Sequence, residues 1–507
     1  GGGMTFCYVI EITAAVDDSG TTTTLLLTDG DGWTTKPADT PANTHVMPRV
    51  TQVANFRRDM YTRGAIGGAV EAAYGEMVFA NADGALDAWT NYGFDGRRFV
   101  VRAGAAGAAY PAAFTTILTA TMSSAVFDWS EIKIRLRDRL ELLKKPLCKN
   151  SFAGTGALEG NSTLAGTRRP KGFGYLYNIS PVLVDSAALI YQVNDGAISM
   201  SVDGRVRDMG AALTNAGPYA DQAALLATSP GAGNFMFLAS GGYIRLGSPP
   251  AGQITADLWA TTPESNYGAG TLLKNLALWA GIPAGDINSS DAAALSTAML
   301  AAWDAHDSAT VLDVMSEVAS SAGAWFGFDR ADQLRMGALA IGAPVLTLTH
   351  HDLLGISRRP NDETGGLPVW RVTSSHTLNR TVQTAFATGV SAANQAAYSR
   401  QWLQAEASNA AIKNKHFAAR EMATETAFSD PAGSANNAAA VLGQYAPGRE
   451  WLEVSARISP ALLTAVDIGK TITVQVPRFG YDSGKAFLII GLRTDYRRGV
   501  VEMTLWG

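Results

Sequence analysis

The sequence predicts a β-rich α+β fold that is divided among several domains. Alternating strands open and close the chain, helical periodicity is concentrated in the middle, and turn residues separate the segments throughout. The 507 residues suffice for about three or four domains of roughly 150 residues each. Hydrophobic residues make up 47% and charged residues 17% of the chain. It can therefore bury large cores and does not have the composition of a disordered protein.

The first predicted domain covers residues 1–148 and consists mainly of strands. Residues 6–12 alternate in the manner of a strand, and the threonine-rich residues 21–28 follow as a second one. Residues 75–102 continue with an apolar strand, a short helical piece and another strand. A hairpin is predicted over residues 115–137, which completes this β-rich region.

Tight turns are predicted where Asp and Gly follow one another between strands. Aspartate caps backbone groups with its carboxylate, and glycine tolerates left-handed backbone conformations that other residues avoid. No residue is predicted to be catalytic, to bind a cofactor or to coordinate a metal ion. The predicted structural turn residues are Asp83, Gly84, Gly93, Asp95 and Gly96 in the first domain and Gly480, Asp482 and Gly484 near the end of the chain.

Two other patterns in the first domain each have two interpretations. Residues 29–32 read Asp-Gly-Asp-Gly, which suits a turn. The same tetrad resembles a calcium loop, but it lacks the further ligands and the closing glutamate of an EF-hand. Residues 131–137 alternate Ile and Leu with Lys and Arg, so one face of that strand is basic. The basic face suits either a solvated sheet surface or a subunit interface.

Four further domains are predicted beyond the first one. Residues 149–260 form a β-rich inserted domain, and residues 261–345 combine helices with a hairpin. Residues 346–448 form a mixed α/β connecting domain, whose pattern is weakest over residues 381–448. Residues 449–507 carry four strands at spacings suited to a small β-barrel.

Helices are predicted where apolar residues recur at helical spacing or where alanine is frequent. Apolar residues recur in this way through residues 270–324, including residues 291–306. Residues 390–408 and 431–445 are alanine-rich and are predicted to be helical as well.

Resemblance to a known family is carried by residues 75–102, 241–257 and 451–507. These stretches resemble tail-tip (baseplate) hub proteins of long-tailed, non-contractile, siphophage-like bacteriophages and of gene-transfer particles. The resemblance implies two small β-barrel, tube-forming domains per chain, with the β-rich and helical domains inserted between them. It also implies a homotrimer, since three chains with two equivalent barrels each can seat beneath a sixfold tail tube. Such a structural virion protein performs no catalysis.

The resemblance further implies where the protein lies and what it contacts. The ring would lie at the virion tail tip after assembly in the host cytoplasm, between the distal tail protein above and a central fibre or spike protein below. The tape-measure protein would occupy the pore until genome ejection, when DNA passes with transient, non-specific contacts. Obligate interfaces of this kind bury on the order of 2,000 Å² or more each.

A faint internal repeat fits the idea of two related barrels. Residues 92–96 read Tyr-Gly-Phe-Asp-Gly and precede the apolar residues 99–101. Residues 479–482 read Phe-Gly-Tyr-Asp and precede the apolar residues 487–489. Duplication explains this match, and chance explains so short a motif as well.

Catalytic and metal-binding alternatives find little support in the sequence. The local histidine cluster, His-His-Asp at residues 350–352, follows a strand, where adjacent side chains point to opposite faces. A turn or helix cap is therefore favoured over a shared metal site. Asp83, Asp87 and Asp95 could form the paired carboxylates of a glycosidase, although Asp83 and Asp95 occupy turn positions. The rival functions are a tail-associated cell-wall-degrading hydrolase and a β-rich surface binding module.

Charge and cysteine content exclude some classes of protein. A net charge of −5 and a pI near 5.8 argue against a dedicated nucleic-acid binder, which would be basic. Cys7 and Cys148 are too few for a disulfide framework or an iron–sulfur cluster and suit folding in a reducing compartment. No apolar run approaches the roughly 18–20 residues of a membrane-spanning segment. Residues 1–13 lack the basic flank and apolar core of a signal peptide, which disfavours a secreted binding module.

Overall fold

The structure is a computed structural model that describes residues 6–53, 55–60, 67–200, 205–260, 267–295, 300–304, 309–359, 367–496 and 498–507. Residues in strands far outnumber residues in helices, and the strands are distributed over several sheets. These observations confirm the predicted β-rich, multidomain α+β class.

The first part of the chain contributes strands and two 3₁₀ turns. The strands are β1 (Phe6–Ala15), β2 (Thr22–Thr28), β3 (Trp33–Thr34), β4 (His45–Pro48), β5 (Val50–Gln52), β6 (Phe56–Asp59), β7 (Gly68–Ala69), β8 (Glu71–Tyr74), β9 (Met77–Ala80), β10 (Arg98–Ala105), β11 (Thr115–Phe127) and β12 (Glu131–Arg137). The 3₁₀ turns cover Asp87–Asn91, between β9 and β10, and Arg139–Leu143, after β12. The strands predicted in residues 6–12, 21–28 and 115–137 are confirmed.

Nine of these strands form the N-terminal sheet, in the order β3-β4-β2-β1-β10-β11-β12-β9-β5. β4 and β5 form one nearly continuous segment, because only Arg49 separates them. β4 pairs with β2 near one edge of the sheet, and β5 pairs with β9 at the opposite edge. The sheet therefore curls towards a barrel. Within the described residues, however, no ladder of hydrogen bonds closes it, and the predicted barrel is an open curved sheet.

The alternation within β12 positions this sheet against its core. Ile132 and Ile134 are fully buried, whereas Lys133 and Arg135 lie on the opposite face. Lys133 pairs with Asp128 at 2.7 Å, and Arg135 pairs with Glu76 at 2.9 Å. In the isolated chain the basic face is thus a solvated sheet surface with paired charges.

The next part contains strands of two further sheets, one short helix and a 3₁₀ turn at Ala157–Glu159. Its other elements are β13 (Lys171–Ile179), β14 (Val182–Asp185), β15 (Ile190–Gln192), β16 (Arg205–Asp208), β17 (Ala211–Ala212), β18 (Thr214–Pro218), α1 (Gln222–Ala227), β19 (Asn234–Leu238), β20 (Tyr243–Leu246) and β21 (Ile254–Trp259). One sheet has the order β14-β15-β20-β19-β18, and β17-β16-β21-β13 belong to the other. Leu176, Phe235 and Ile244 belong to the buried core that the two sheets share.

A helical part with one hairpin follows. Its elements are α2 (Ala269–Ala280), a 3₁₀ turn (Ala284–Asp286), α3 (Ser289–Ala294), β22 (Ala301–Asp304), α4 (Val311–Ser321), β23 (Ala324–Phe328) and β24 (Leu334–Ala338). β22 extends the sheet of β13, and β7 joins the β23–β24 hairpin as a third strand. The prediction of a helix through residues 291–306 is wrong at residues 301–304, because β22 pairs with β13 and tertiary pairing overrides the local pattern. His306 lies outside the described residues.

The last part contains a small sheet with helices and the C-terminal sheet. Its elements are β25 (Pro344–Thr349), β26 (Leu353–Arg359), β27 (Val369–His376), α5 (Ala392–Tyr398), β28 (Leu403–Ser408), α6 (Ala410–Lys415), β29 (Arg420–Glu425), α7 (Pro431–Tyr445), β30 (Trp451–Arg457), α8 (Pro460–Ala465), β31 (Thr471–Gln475), β32 (Lys485–Asp495) and β33 (Val500–Trp506). The small sheet has the order β28-β27-β29. The helix predicted over residues 390–408 is confirmed only for α5, since β28 is a strand that pairs with β27. The helix predicted over residues 431–445 is α7.

The C-terminal sheet has the order β25-β31-β32-β33-β30-β26, and β6 is attached to β32. The four strands predicted in residues 449–507 are confirmed as β30 to β33. Two strands from residues 344–359 and one from residues 56–59 complete the sheet. One continuous hydrophobic core includes Ile10 and Phe79 from the N-terminal sheet and Leu452 and Phe487 from the C-terminal sheet.

The two ends of the chain repeat one strand arrangement. At the N-terminal end, β9 is followed by a 3₁₀ turn and the meander β10-β11-β12, and β9 lies beside β12. At the C-terminal end, β30 is followed by α8 and the meander β31-β32-β33, and β30 lies beside β33. All of these pairings are antiparallel. Each second meander strand also has an irregular register with the third, between Met122 and Ser124 in β11 and between Ile489 and Gly491 in β32.

The flanking strands extend the repeat to six positions, β1-β10-β11-β12-β9-β5 and β25-β31-β32-β33-β30-β26. The two six-strand arrangements differ in the direction of the first strand: β1 runs antiparallel to β10, whereas β25 runs parallel to β31. The motif match in the sequence does not follow this repeat. Residues 92–96 precede the first meander strand, β10, whereas residues 479–482 precede the second one, β32. The strand order therefore favours duplication, but the short motif falls on turns that are not equivalent.

Candidate functional site

The two repeated sheets are joined along a seam that residues 55–60 form on the C-terminal sheet. β6 pairs antiparallel with β32, with Asp59 opposite Gly491. The Met60 N–H donates to the Ile490 carbonyl at 2.7 Å. Gly491 suits this crossing, because a Cβ there would lie 2.9 Å from Thr504 Cβ and 3.0 Å from an Asp59 carboxylate oxygen. The units at the two ends of the chain are thus linked by backbone hydrogen bonds.

Buried charges reinforce this seam. Arg58 is 1% exposed, and its Nη1 donates to Asp467 Oδ1 at 2.9 Å. Asp467 Oδ2 also accepts from Arg330 Nε at 3.1 Å. Burial works against ionisation of Asp467, but Arg58 and Arg330 outweigh it, and together with the Ile468 N–H they hold the pKa of this carboxyl below its ordinary value. Loss of one partner would leave a buried charge uncompensated, which is strongly destabilising.

The turn between β32 and β33 completes the seam with aromatic contacts. Tyr496 is 8% exposed, and its ring centroid lies 4.9 Å from that of Tyr8 in an edge-on arrangement. The Phe56 ring lies 6.3 Å away. The Tyr496 N–H donates to Asn55 Oδ1 at 3.2 Å. Edge-on aromatic pairs add stabilisation beyond their buried area, so this turn is anchored on the N-terminal unit.

The turn between β11 and β12 holds the same place in the N-terminal meander, but it projects into solvent. Trp129 is 96% exposed, and Val126 and Phe127 beside it are 38% and 37% exposed. The turn itself is well formed, since the Asp128 N–H donates to the Glu131 carbonyl at 2.8 Å. The structure therefore presents an apolar tip, residues 126–129, whose Trp129 side chain is not covered by any described part of the chain.

The predicted turn residue Asp83 holds an exposed ion pair. Its two carboxylate oxygens accept from Arg49 Nη1 and Nη2 at 2.6 Å and 2.7 Å. The Arg49 side chain, together with the Ala85 N–H, lowers the pKa of Asp83 to about 2. Gly84 follows with φ +73°, and its N–H donates to the Asn81 carbonyl at 3.0 Å. Both residues thus shape the turn before the first 3₁₀ turn.

The next three predicted turn residues precede β10. Asp95 and Gly96 lie in a turn, where Gly96 has φ +70° and its N–H donates to the Met122 carbonyl at 2.9 Å. Gly93 behaves differently, since it exchanges two hydrogen bonds of 2.9 Å with Ala15 in an isolated bridge. Gly93 has no positive φ, so its place does not demand glycine for backbone reasons.

The C-terminal predicted turn residues lie between β31 and β32. Gly480 and Gly484 have φ +78° and +86°, and the Asp482 carbonyl accepts from Gln475 Nε2 at 3.0 Å. Between them, the 1%-exposed Tyr481 donates its hydroxyl to the Glu450 carboxylate. The two sets of turn residues belong to different sheets, and none of the described contacts joins them. Their arrangement has the character of backbone support and not of a common binding site.

The carboxylates proposed for a glycosidase are held in structural contacts. A general acid of that class needs a raised pKa, whereas the pKa of Asp83 is lowered to about 2. Asp87 accepts from Asn81 Nδ2 at 2.8 Å. The described part of the chain contains no group of three or more side chains placed to hold a metal ion. In the same ranges, every helix is too short or too polar to cross a membrane.

The histidine cluster forms the turn between β25 and β26. Asp352 Oδ2 accepts from the Thr349 N–H at 2.8 Å and from its hydroxyl at 2.7 Å. The expectation that His350 and His351 point to opposite faces is wrong, because their ring centroids lie only 3.7 Å apart. Residues 350–352 have left the strand, so the alternation of strand side chains no longer applies.

A groove of about 600 Å³ crosses the exposed face of the C-terminal sheet. Its lining includes charged side chains from neighbouring strands. Arg493 pairs with Glu502 at 3.5 Å, and Arg57 pairs with Asp59 at 2.5 Å. The groove is polar and largely neutralised by its own ion pairs. It therefore differs in chemistry from the apolar tip.

Sequence reasoning missed the residues that build the seam and the tip. Arg58 and Asp467 are separated by 409 residues, and no local pattern connects positions so far apart. Trp129 could have been noticed in the sequence. It is a large apolar residue between Asp128 and Ser130, at the turn of a predicted hairpin and outside the apolar alternation of the two strands.

Comparison with known proteins gives matches among solved structures only. No protein-family model and no curated protein matches the chain. The tail protein from Neisseria meningitidis MC58 aligns over 99% of this chain and 96% of its own, at 11% identity and a TM-score of 0.43. The 43 kDa tail protein of prophage MuSo2 from Shewanella oneidensis aligns over 98% and 95%, at 9% identity and a TM-score of 0.42.

A chain from the virion of a native gene transfer agent particle is also similar. It aligns over 67% of this chain and 84% of its own, at 13% identity and a TM-score of 0.42. Phage tail proteins and a gene-transfer virion are thus among the structures that resemble this chain. At this identity and TM-score, the alignments do not assign a family or a function.

Proposed function

We propose that this chain is a structural virion protein that forms a tail-tip, or baseplate, hub as a homotrimeric ring. The observation that carries the proposal is the six-strand arrangement that occurs at both ends of the chain. A chain with two similar sheets offers two similar patches to a neighbouring ring. Three chains then offer six patches, which is what a threefold tip needs in order to seat on a sixfold tube.

The seam supports this function by fixing the two sheets relative to each other. β6 pairs with β32, Arg58 and Asp467 pair in the interior, and Tyr496 packs on Tyr8. An adaptor between two symmetries needs such a fixed relation, because its two patches must meet the tube together. The seam is the physical basis for rigid adaptation.

The proposed ring has partners on both sides and in its pore. The distal tail protein contacts it above, a central fibre or spike protein contacts it below, and the tape-measure protein fills the pore until genome ejection. DNA then passes with transient, non-specific contacts. A net charge of −5 suits this passage, because tight non-specific binding of DNA needs cationic surfaces.

Native mass spectrometry of the purified chain and electron cryo-microscopy of tail particles test the proposal together. We expect a species with the mass of three 53.3 kDa chains and density for this chain around an axial channel at the tail tip. Absence of the chain from purified particles, or copies that surround no channel, would refute it. Wall-degrading activity that disappears in Asp83→Asn or Asp87→Asn would favour the hydrolase instead.

A further inference from the structure

We infer that a cleft beside the N-terminal sheet binds a phosphate oxyanion, held between the side chains of Arg98 and Arg137 above the hydroxyl of Thr121. The cleft has a volume of about 290 Å³ and lies where this sheet meets the 3₁₀ turn Arg139–Leu143 and the turn between β23 and β24. The ligand carries the phosphate either as a phosphodiester of nucleic acid or as free phosphate. The inference does not depend on the proposed ring.

The strand register brings the three side chains together. Arg98 of β10 lies opposite Thr121 of β11, and Thr121 lies opposite Arg137 of β12. Residues directly opposite each other in antiparallel strands project from the same face of the sheet. Because adjacent strands are about 4.8 Å apart, the two arginine backbones are separated by roughly 10 Å. Each long side chain can therefore reach the space over Thr121.

The cations on this face differ in their partners. Lys133 and Arg135 project from the same face of β12 as Arg137, but they are held by carboxylates at 2.7 and 2.9 Å. Arg137 and Arg98 are exposed, and neither forms an ion pair or a side-chain hydrogen bond with the described part of the chain. The basic face thus leaves two guanidinium groups without a bound carboxylate, and both of them line the cleft.

The carboxylates of the cleft are already engaged by other groups. Asp138 accepts from two backbone N–H groups, each at 3.0 Å, and Glu141 binds a lysine at 2.6 Å. Asp332 accepts from Arg139 Nη1 at 2.9 Å. Burial raises the pKa of Asp332, and the charges of Arg139 and Arg98 oppose this rise, although Arg98 forms no ion pair with it. The donors of Arg98 and Arg137 therefore remain open to an incoming anion.

The geometry of these donors favours a tetrahedral oxyanion. Each guanidinium offers a fork of parallel N–H groups that binds two oxygens of one anion, and Thr121 adds a hydroxyl. The two forks approach from opposite sides of β11, because Arg98 and Arg137 lie on the strands that flank it. A phosphate group presents oxygens in several directions and accepts from both forks at once, whereas a planar carboxylate offers only two oxygens.

Calorimetric titration of the full chain with inorganic phosphate, in a chloride buffer of low ionic strength, tests the site. We expect saturable binding by the wild-type chain. Arg98→Gln and Arg137→Gln should each weaken it by about tenfold or more, because each removes the charge-assisted hydrogen bonds of one fork. No phosphate binding by the wild-type chain, or binding that both substitutions leave unchanged, would overturn the inference.

Arg135→Gln is the matched control, since it removes a cation from the same face of β12 but outside the cleft. This variant should bind phosphate like wild type. Equal weakening by Arg135→Gln and Arg137→Gln would reveal a general charge effect and would also overturn the inference. Arg98, Arg135 and Arg137 are all exposed, so the substitutions should change stability little. Thermal denaturation verifies that each variant is folded.

A second ligand identifies the source of the phosphate. Fluorescence anisotropy measures binding of a short labelled DNA duplex to the same variants. Weaker duplex binding in Arg98→Gln and Arg137→Gln, but not in Arg135→Gln, assigns the site to the phosphodiesters of nucleic acid. Binding of inorganic phosphate without binding of the duplex assigns it to free phosphate. A chain that binds neither ligand refutes the site and leaves the hub proposal in place, because neither titration requires a ring or a particle.

Discussion

The turn between β32 and β33 and the turn between β11 and β12 hold the same place in two copies of one strand arrangement, yet their surroundings are opposite. Tyr496 in the first turn is 8% exposed and packs on Tyr8, whereas Trp129 in the second turn is 96% exposed. Within one chain, the turn between β32 and β33 is covered by Tyr8, whereas the turn between β11 and β12 stays exposed. Equivalent positions in the two strand arrangements therefore do not have equivalent surroundings.

The largest expected effect lies in the buried charges behind the first turn. Asp467→Ala removes the carboxylate that Arg58 and Arg330 share. We expect a loss of about 3–5 kcal/mol in the free energy of unfolding, because the buried guanidinium of Arg58 loses its carboxylate partner. Urea denaturation followed by tryptophan fluorescence measures it. Asp83→Ala, which breaks an exposed pair, is the control, and an equal loss in both variants would contradict a special role of the seam.

The two aromatic turns should respond differently to truncation. Tyr496→Ala should reduce the free energy of unfolding by about 3 kcal/mol, as expected for a large side chain removed from a packed site. Trp129→Ala should leave that free energy unchanged in the monomer. Denaturation of both variants at a concentration where the protein is monomeric checks the contrast. Equal losses would mean that Trp129 has a seat within its own chain.

Gly93 and Gly96 were both predicted as turn residues, but substitution by alanine should affect stability at only one of them, and by a smaller amount than the changes above. Gly96→Ala should lower the free energy of unfolding by about 1–2 kcal/mol, because Gly96 has φ +70°, a conformation that is strained for alanine. No other atom lies within 4 Å of the added Cβ, so a steric clash does not contribute. Gly93→Ala should be nearly neutral, since its Cβ would lie 3.5 Å from Ala15 Cβ, an ordinary contact. Thermal denaturation of the pair provides the measurement. A larger loss at Gly93 would show that its bridge to Ala15 is under strain.

The smallest effect concerns pH. The pKa of Asp467 is lower in the folded chain than its ordinary value. Its contribution to stability is therefore present above the ordinary pKa and is lost as pH falls through the folded-state pKa. The difference in unfolding free energy between wild type and Asp467→Asn should shrink as the pH is lowered from 7 towards 3. A difference that stays constant over this range would show that the charge of Asp467 does not stabilise the seam.

Local patterns were sufficient to predict most strands at the two ends of the chain. The alternation in residues 6–12 and 131–137 and the four strands after residue 449 correspond to observed elements because each of them buries one face. Residues 301–304 and 403–408 were predicted as helix and are strands, since β22 and β28 are fixed by partners that are distant in sequence. Local composition cannot encode such partners.

The candidate site was less predictable than the fold for the same reason. Turn residues such as Gly84 and Gly484 could be named from sequence, because the backbone conformation of a turn depends on its own residues. The seam could not, since Arg58, Tyr496 and their partners come from opposite ends of the chain. The repeat of strand order was hidden as well, because pairing order is not written in any short motif.

The attachment of β6 to β32 has a consequence for synthesis. The Phe56 N–H donates to the Thr494 hydroxyl oxygen across 438 residues, so the amino-terminal strand leaves the ribosome long before its partner exists. At about 5–20 residues per second, this delay is roughly 20–90 s. During that time β6 and the cationic Arg58 have no native neighbour from β32 or from the segment that carries Asp467. A nascent chain therefore cannot complete the seam before Asp467 and the residues of β32 have been synthesised.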